Sequence, residues 1–260
     1  MKIGILCGED IEIQPFLSQI EGCTVTERAM LRIYEGTINS VPTALLMSGI
    51  CRVDTAVAAQ ILISCYHVDA IISAGIAFGM DKRIRVFDTV ISTEAVYYGI
   101  AENSLTNLSP QMGSVFFPAD EELLVLSRAA ARKLTGFETV MQSEKTRTDE
   151  ADRMIGKQNR KPCIFWGRMA TGEGLFSLAG KKEIKAEYAL LSADTKTANA
   201  AHVCYVNRTP FLAIRTIVDT GEHSGTDASA LNYRWASGTA RDITVAVLSE
   251  LKEYLSDELW

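Results

Sequence analysis

The chain lacks any apolar run near the roughly 18 residues that a membrane-spanning helix needs. The short run in "MKIGILCGED" gives way to acids at once, so neither a membrane span nor a signal peptide is expected. A basic excess is also missing: 26 Lys and Arg stand against 32 Asp and Glu, for a formal charge of −6. That balance excludes nucleic acid as the main partner, because phosphate backbones attract basic surfaces. Histidines number only three, and the six cysteines (Cys7, Cys23, Cys51, Cys65, Cys163, Cys204) are scattered with no CxxC pair. No metal site is expected from such spacing. Most of the thiols lie in apolar stretches and read as buried groups of a reducing, cytoplasmic compartment. GxxxxGK[ST], GxGxxG and GxSxG are all absent, which removes the commonest phosphate, dinucleotide and serine-hydrolase signatures.

What is present is an alternation of short apolar strands with helices. "KIGILCG" reads as a buried strand, and "EDIEIQPFLSQI" as a helix interrupted early by Pro15. Residues 32–50 read as two strands around a turn at Asn39-Ser40, and 52–68 as an amphipathic helix. "DAIISAGIAFGM" reads as a strand, 70–74, that breaks into a Gly-rich turn, and 86–99 supplies a further strand. Residues 99–117 suggest a long loop. Residues 118–134 open with Pro and acids and close with Arg and Lys, as a helix dipole favours. Residues 142–161 form a charged, exposed stretch, and "PCIFWGRMATGEG" and "TPFLAIRTIVDTGEH" are two apolar strands ending in polar turns. "LLSA" runs as a strand into the helix that follows Lys196, and 242–259 form an amphipathic helix. No repeat or composition break divides the chain, so one α/β domain over 1–260 is expected, with a sheet covered on both faces.

Ligands of such folds bind beyond the carboxyl ends of strands. Those positions hold Glu9, Asp10 and Glu12; Gly75-Ile76-Ala77-Phe78-Gly79; Thr171 to Phe176; Asp194-Thr195-Lys196; and Asp219, with Arg215 inside the preceding strand. Two carboxylates from distant segments, an arginine and an aromatic suit hydrolysis or transfer at a small organic ligand, one acid activating water and the other protonating a leaving group. The duller readings are a helix cap for Glu9 or Asp10, turn roles for Gly75 and Gly79, a core role for Phe176 and His202, and a solvent-facing helix start for Arg52.

In order along the chain, "MKIGILCGEDIEI", "LLMSGICRVDTAVAAQILI…VDAIISAGIAFG", "AHVCYVNRTPFLAIRTIVD" and, more loosely, "VFDTVISTEAVYY" and "TGEGLF" resemble the nucleoside phosphorylase/nucleosidase superfamily. The 5′-methylthioadenosine/S-adenosylhomocysteine nucleosidase branch is the most similar. The resemblance implies a single α/β domain with a mixed, partly barrel-like central sheet flanked by helices. It also implies a homodimer, no metal or organic cofactor, and hydrolysis of the N-glycosidic bond of an adenine nucleoside in methionine salvage. In that pattern Asp219 matches the general acid toward purine N7, Glu12 the acid that activates water, and Arg215 the group that positions it. Leu175 and Phe176 would contact adenine, and Ile50, Ile76, Ala77, Phe78 and Val218 would belong to the pocket wall.

The pattern is broken at four places. The family's turn of acid, Met and ribose-binding Glu is here Asp194-Thr195-Lys196. Ile76 stands where a small hydroxyl residue is usual, Phe78 near a usual Gly, and Val218 where Ser or Thr is common. The loss of the hydroxyl at Ile76 argues against a phosphate-using relative. A lysine has only donors, whereas a diol is gripped by an acceptor. The alternative is therefore a non-catalytic or altered-substrate homologue that binds a purine nucleoside or base, with Lys196 facing an anion or pairing with Asp194 or Glu173.

Overall fold

The computed structural model describes residues 1–98, 112, 114–140, 160–172, 188–220 and 226–257. Eleven strands are present among the described residues: β1 (Ile3–Cys7), β2 (Glu21–Arg28), β3 (Leu31–Ile38), β4 (Val41–Met47), β5 (Ala70–Gly79), β6 (Thr89–Tyr97), β7 (Phe116–Pro118), β8 (Glu138–Val140), β9 (Cys163–Thr171), β10 (Ser192–Asp194) and β11 (Phe211–Asp219). The helices are α1 (Asp10–Leu17), α2 (Arg52–Tyr66), α3 (Glu121–Lys133), α4 (Thr197–Asn207) and α5 (Thr226–Asp257).

All strands join one mixed sheet, ordered β10-β9-β6-β11-β5-β1-β4-β3-β2, with β7 on β6 and β8 on β9. The short β10 also pairs with the far end of β5, Ala193 opposite Phe78. That extra pairing closes β5, β11, β6, β9 and β10 into a ring, the partial barrel that the resemblance implies. β1 lies between β4 and β5 with both pairings parallel. It is buried along its whole length, as its unbroken apolar run requires.

Two apolar layers cover the sheet. One contains residues of α2 and α4 against β5, β6, β9 and β11; the other contains residues of α1, α3 and α5. α3 forms as its sequence predicts. The Asp120 carboxylate accepts the Leu123 N–H at 3.0 Å, acids fill the first turn, and Arg132 and Lys133 fill the last.

Several expectations are revised. β5 runs unbroken through Gly75–Gly79, so those glycines belong to a strand and not to a turn. The helix after β1 continues through Pro15. β2 was not signalled: every residue along it is exposed, so it carries no apolar alternation. The last helix begins at Thr226, well before the stretch that reads as amphipathic. Cys7, Cys163 and Cys204 are buried, but Cys23, Cys51 and Cys65 are exposed. Most of the charged 142–161 stretch, the 99–111 part of the loop, Leu175 and Phe176 lie outside the described residues.

The charged stretch ends in a buried ion pair. The Arg160 guanidinium donates to both Asp88 oxygens, at 2.7 and 2.5 Å. The same buried carboxylate accepts the N–H groups of Arg85 and Cys163, each at 2.8 Å, and so fixes where β9 starts. Asp88→Ala leaves that guanidinium without its anion and is expected to lower stability by about 3 kcal/mol or more, read from the denaturant midpoint.

Candidate active site

Glu12 stands in the first turn of α1 and is fully buried. Its Oε2 accepts the N–H groups of Gly8 (2.6 Å) and Glu9 (2.9 Å), and its Oε1 accepts the N–H of Ile76 (2.8 Å). Those amides come from the β1–α1 turn and from β5, so the carboxylate ties the two strand ends together. A fourth donor arrives from across the sheet. The Lys196 ammonium sits 3.1 and 3.2 Å from the two Glu12 oxygens and 3.7 Å from Glu9 Oε1, and the lysine is only 4% exposed.

Two glycines make this contact possible. A Cβ on Gly8 would stand 2.0 Å from Lys196 Cδ, and one on Gly75 would stand 2.1 Å from Glu12 Oε1. Neither position can carry a side chain while the pair is in place.

Asp194 closes β10 and begins α4. Its Oδ1 accepts from the Lys196 and Thr197 N–H groups (3.0 and 2.9 Å) and from Thr171 Oγ1 (2.7 Å). Its Oδ2 accepts from Thr197 Oγ1 (2.5 Å) and Arg215 Nε (2.7 Å). Arg215, fully buried, also donates to Thr197 Oγ1 (3.1 Å) and, through Nη2, to Ser73 Oγ (2.8 Å). The arginine therefore bonds Asp194 and not Glu12, and it positions the turn that carries Lys196. Its charge still reaches Glu12.

Burial alone would raise the carboxyl of Glu12. The charges of Lys196 and Arg215, with the Ile76 and Gly8 amides, outweigh that and hold it below the usual range. Asp194 is likewise held low against burial by Arg215, Lys196 and Thr197. Both are anions, so the buried centre is a neutral quartet of two carboxylates and two cations. Cys7 lies among these charges with its thiol pushed well up, first by burial and then by Glu12.

At the rim, β11 carries a register shift between Ile217 and Asp219, with Asp219 opposite Phe78. A bulge of this kind re-aims the strand's last side chain. Asp219 and Phe78 are half-buried beside an apolar cluster of Ile76, Val218 and Ala236, with Tyr233 of α5 packed against it. The Tyr233 phenol is raised by burial first and then by Glu9 and Asp219, while Lys196 opposes.

The structure thus gathers Glu12, Arg215, Asp194, Lys196, Asp219, Ile76, Phe78 and Val218 around one centre. Thr195 is half-buried beside them, and its carbonyl accepts from Asn199 Nδ2. Asp194 faces inward with its oxygens engaged, so its expected ligand contact gives way to a structural one. Ala77 turns its side chain to the main core on the opposite face of β5, away from Ile76. Ile50 stands exposed between β4 and α2. Ser73, Thr197 and Tyr233 were missed: the first two occupy a strand and a helix start with ordinary polar spacing, and the segment holding Tyr233 gave no helical signal. Among the described residues no group of three or more His, Cys, Asp or Glu could hold a metal, and no helix is long and apolar enough to cross a membrane.

An α/β ring with its site at the carboxyl ends of β1, β10 and β11 is the architecture of a nucleoside-type phosphorylase fold. The family model of the phosphorylase superfamily matches residues 2–249, and the chain belongs to that superfamily. More narrowly, it is 27% identical to the 5′-methylthioadenosine/S-adenosylhomocysteine nucleosidase of Geobacillus kaustophilus over 97% of this chain and 99% of that protein. It is also 27% identical to the protein of the same name from Psychromonas ingrahamii, over 84% of this chain and 86% of that one. The nucleosidase structure from Colwellia psychrerythraea, in complex with adenine, superposes with a TM-score of 0.80 at 21% identity, covering 96% of each chain. These likenesses do not favour a non-catalytic binding role.

A carboxylate whose folded pKa is depressed adds stability above its unfolded pKa, about 4.3 for Glu, and loses it as pH falls through the folded value. Glu12 and Asp194 should therefore leave stability flat above that pH and let it decline on acidification. In Lys196→Met the largest opposing charge on Glu12 is gone. Urea midpoints followed against pH should then begin to fall at a higher pH than in the unmodified protein.

Proposed function

We propose that this chain is an N-glycosyl hydrolase of adenine nucleosides of the 5′-methylthioadenosine/S-adenosylhomocysteine type, adding water across the C1′–N9 bond to give adenine and the thioribose. The observation that carries the reading is buried, ionised Glu12 bonded to the Ile76 N–H of β5, with Asp219 at the end of β11 opposite Phe78, two residues further along that strand. The nucleosidase relatives support it, as does the adenine bound to the superposed structure.

Bond breaking leaves positive charge on the sugar and pushes electrons into the purine. Asp219 delivers a proton toward purine N7, with the apolar group of Ile76, Val218, Phe78 and Tyr233 beside it limiting water. Glu12, on the sugar side, orients the attacking water, and Arg215 acts through Asp194 to hold the turn bearing Lys196. Free adenine should appear from methylthioadenosine without phosphate, and Asp219→Asn should lower that rate by roughly a hundredfold or more while the melting temperature barely moves. Release that requires phosphate would overturn the hydrolytic reading.

The reaction belongs to methionine salvage, and the exposed thiols of Cys23, Cys51 and Cys65 support a reducing cytoplasm as its place. The whole of 1–260 acts as one catalytic unit. A second copy of the chain is the partner we infer for the exposed apolar side chains of Met30, Met47, Ile50, Val53 and Val57. Three of these lie on or just before α2. Met30, Met47 and Val57 line one cavity of about 630 Å³ with the start of α1. The chain should sediment as a dimer, and Val53→Asp should shift it toward monomer.

A further inference from the structure

The proposed mechanism leaves one feature unused: Glu12 has no obvious room for the water it must hold. A carboxylate offers about four acceptor positions, and three are taken by the amides of Gly8, Glu9 and Ile76. The fourth faces the Lys196 ammonium, which lies within 3.2 Å of both oxygens. While that contact stands, Glu12 serves as a counter-ion and not as a base.

The ammonium has three donors and at most two of them engage Glu12. Its stem is unbranched and passes the bare face of Gly8, so the head can swing without moving the backbone. It will leave Glu12 only for another anion, the half-exposed Glu9 carboxylate 3.7 Å away or one brought by a ligand, because a buried carboxylate and ammonium separate at great cost unless each is compensated. A neutral nucleoside offers no such group and cannot shift that equilibrium. A second donor waits nearby: Arg215 Nη1 is buried and has no hydrogen-bond partner among the described residues.

We propose that Lys196 is a specificity-determining residue that favours nucleosides bearing a carboxylate or phosphate on the sugar side over neutral ones such as methylthioadenosine. The substrate anion takes the ammonium, and Glu12, released, turns to the attacking water. The inference rests on the hydrolase reading above, since that reading places Glu12 and hence Lys196 beside the sugar. No bond other than the glycosidic one changes; the anion is recognised and not consumed.

The test compares adenine release from methylthioadenosine, which is neutral, with release from S-adenosylhomocysteine, adenosine 3′-monophosphate and adenosine 5′-monophosphate. Unmodified protein and Lys196→Met are assayed side by side. In the unmodified protein at least one anionic nucleoside should exceed methylthioadenosine in kcat/KM by roughly ten- to a hundredfold. Preference for S-adenosylhomocysteine alone would identify a carboxylate, and preference for a nucleotide a phosphate. In Lys196→Met the ratio should collapse toward one while methylthioadenosine turnover rises. An anion preference that survives the substitution, or none in the unmodified protein, overturns the proposal.

If no nucleoside is hydrolysed, the hydrolase reading fails and calorimetric binding of the same compounds decides the role of Lys196. The anionic compounds should then bind about tenfold tighter than methylthioadenosine, a margin lost in the variant; equal binding sinks it. Should Lys196→Met melt early, the double variant Glu12→Gln/Lys196→Met, which removes both charges, takes its place in the binding comparison.

Discussion

The ion pair between Lys196 and Glu12 is the contact around which the rest of the centre is arranged. Both groups are buried, and a lone charge there would be heavily penalised, so each residue is a condition for the other. Around them the chain gives up side chains at Gly8 and Gly75 to make space, and three backbone amides to complete the carboxylate. Asp194 extends the arrangement one step further: by accepting the Lys196 and Thr197 amides it sets the start of α4, and by accepting Arg215 it ties that start to β11. A pair of this sort contributes little net stability compared with apolar groups of the same shape, and its retention points to arrangement and chemistry instead.

The sheet supplies the frame. β5 is long enough to serve both the parallel layer with β1 and the ring closed by β10, and its second half passes directly under the site. Closure at Ala193 and Phe78 brings the turn after β10 over the end of β1, although the two are far apart in the chain. The bulge before Asp219 then turns the last carboxylate of β11 to the rim. Ring closure and bulge together convert three strand ends into one site.

Much of this was legible. Apolar runs such as "KIGILC" and "FLAIRTIV" announced buried strands, and the capped, dipole-matched α3 announced itself. The order of segments announced the superfamily. Gly75–Gly79 misled because glycine normally punctuates, whereas here its lack of a side chain admits the Glu12 carboxylate to a continuous strand. Lys196 was visible as an oddity at a binding turn, but its partner was not, since no local spacing relates it to Glu12. Tyr233 was hidden because α5 is amphipathic only in its later part as the sequence reads.

The distance between the partners has a consequence for the chain while it is being made. Glu12 and Lys196 are 184 positions apart. At about 5–20 residues per second, roughly ten to forty seconds of synthesis separate the emergence of one from the emergence of the other. Through that interval the Glu12 carboxylate has its three amide donors but not the ammonium that balances its charge in the folded centre. The β1–α1 turn therefore carries an unbalanced anion until residue 196 has emerged. A ribosome-bound fragment ending before Lys196 thus lacks the counter-ion of a carboxylate that is fully buried in the finished fold.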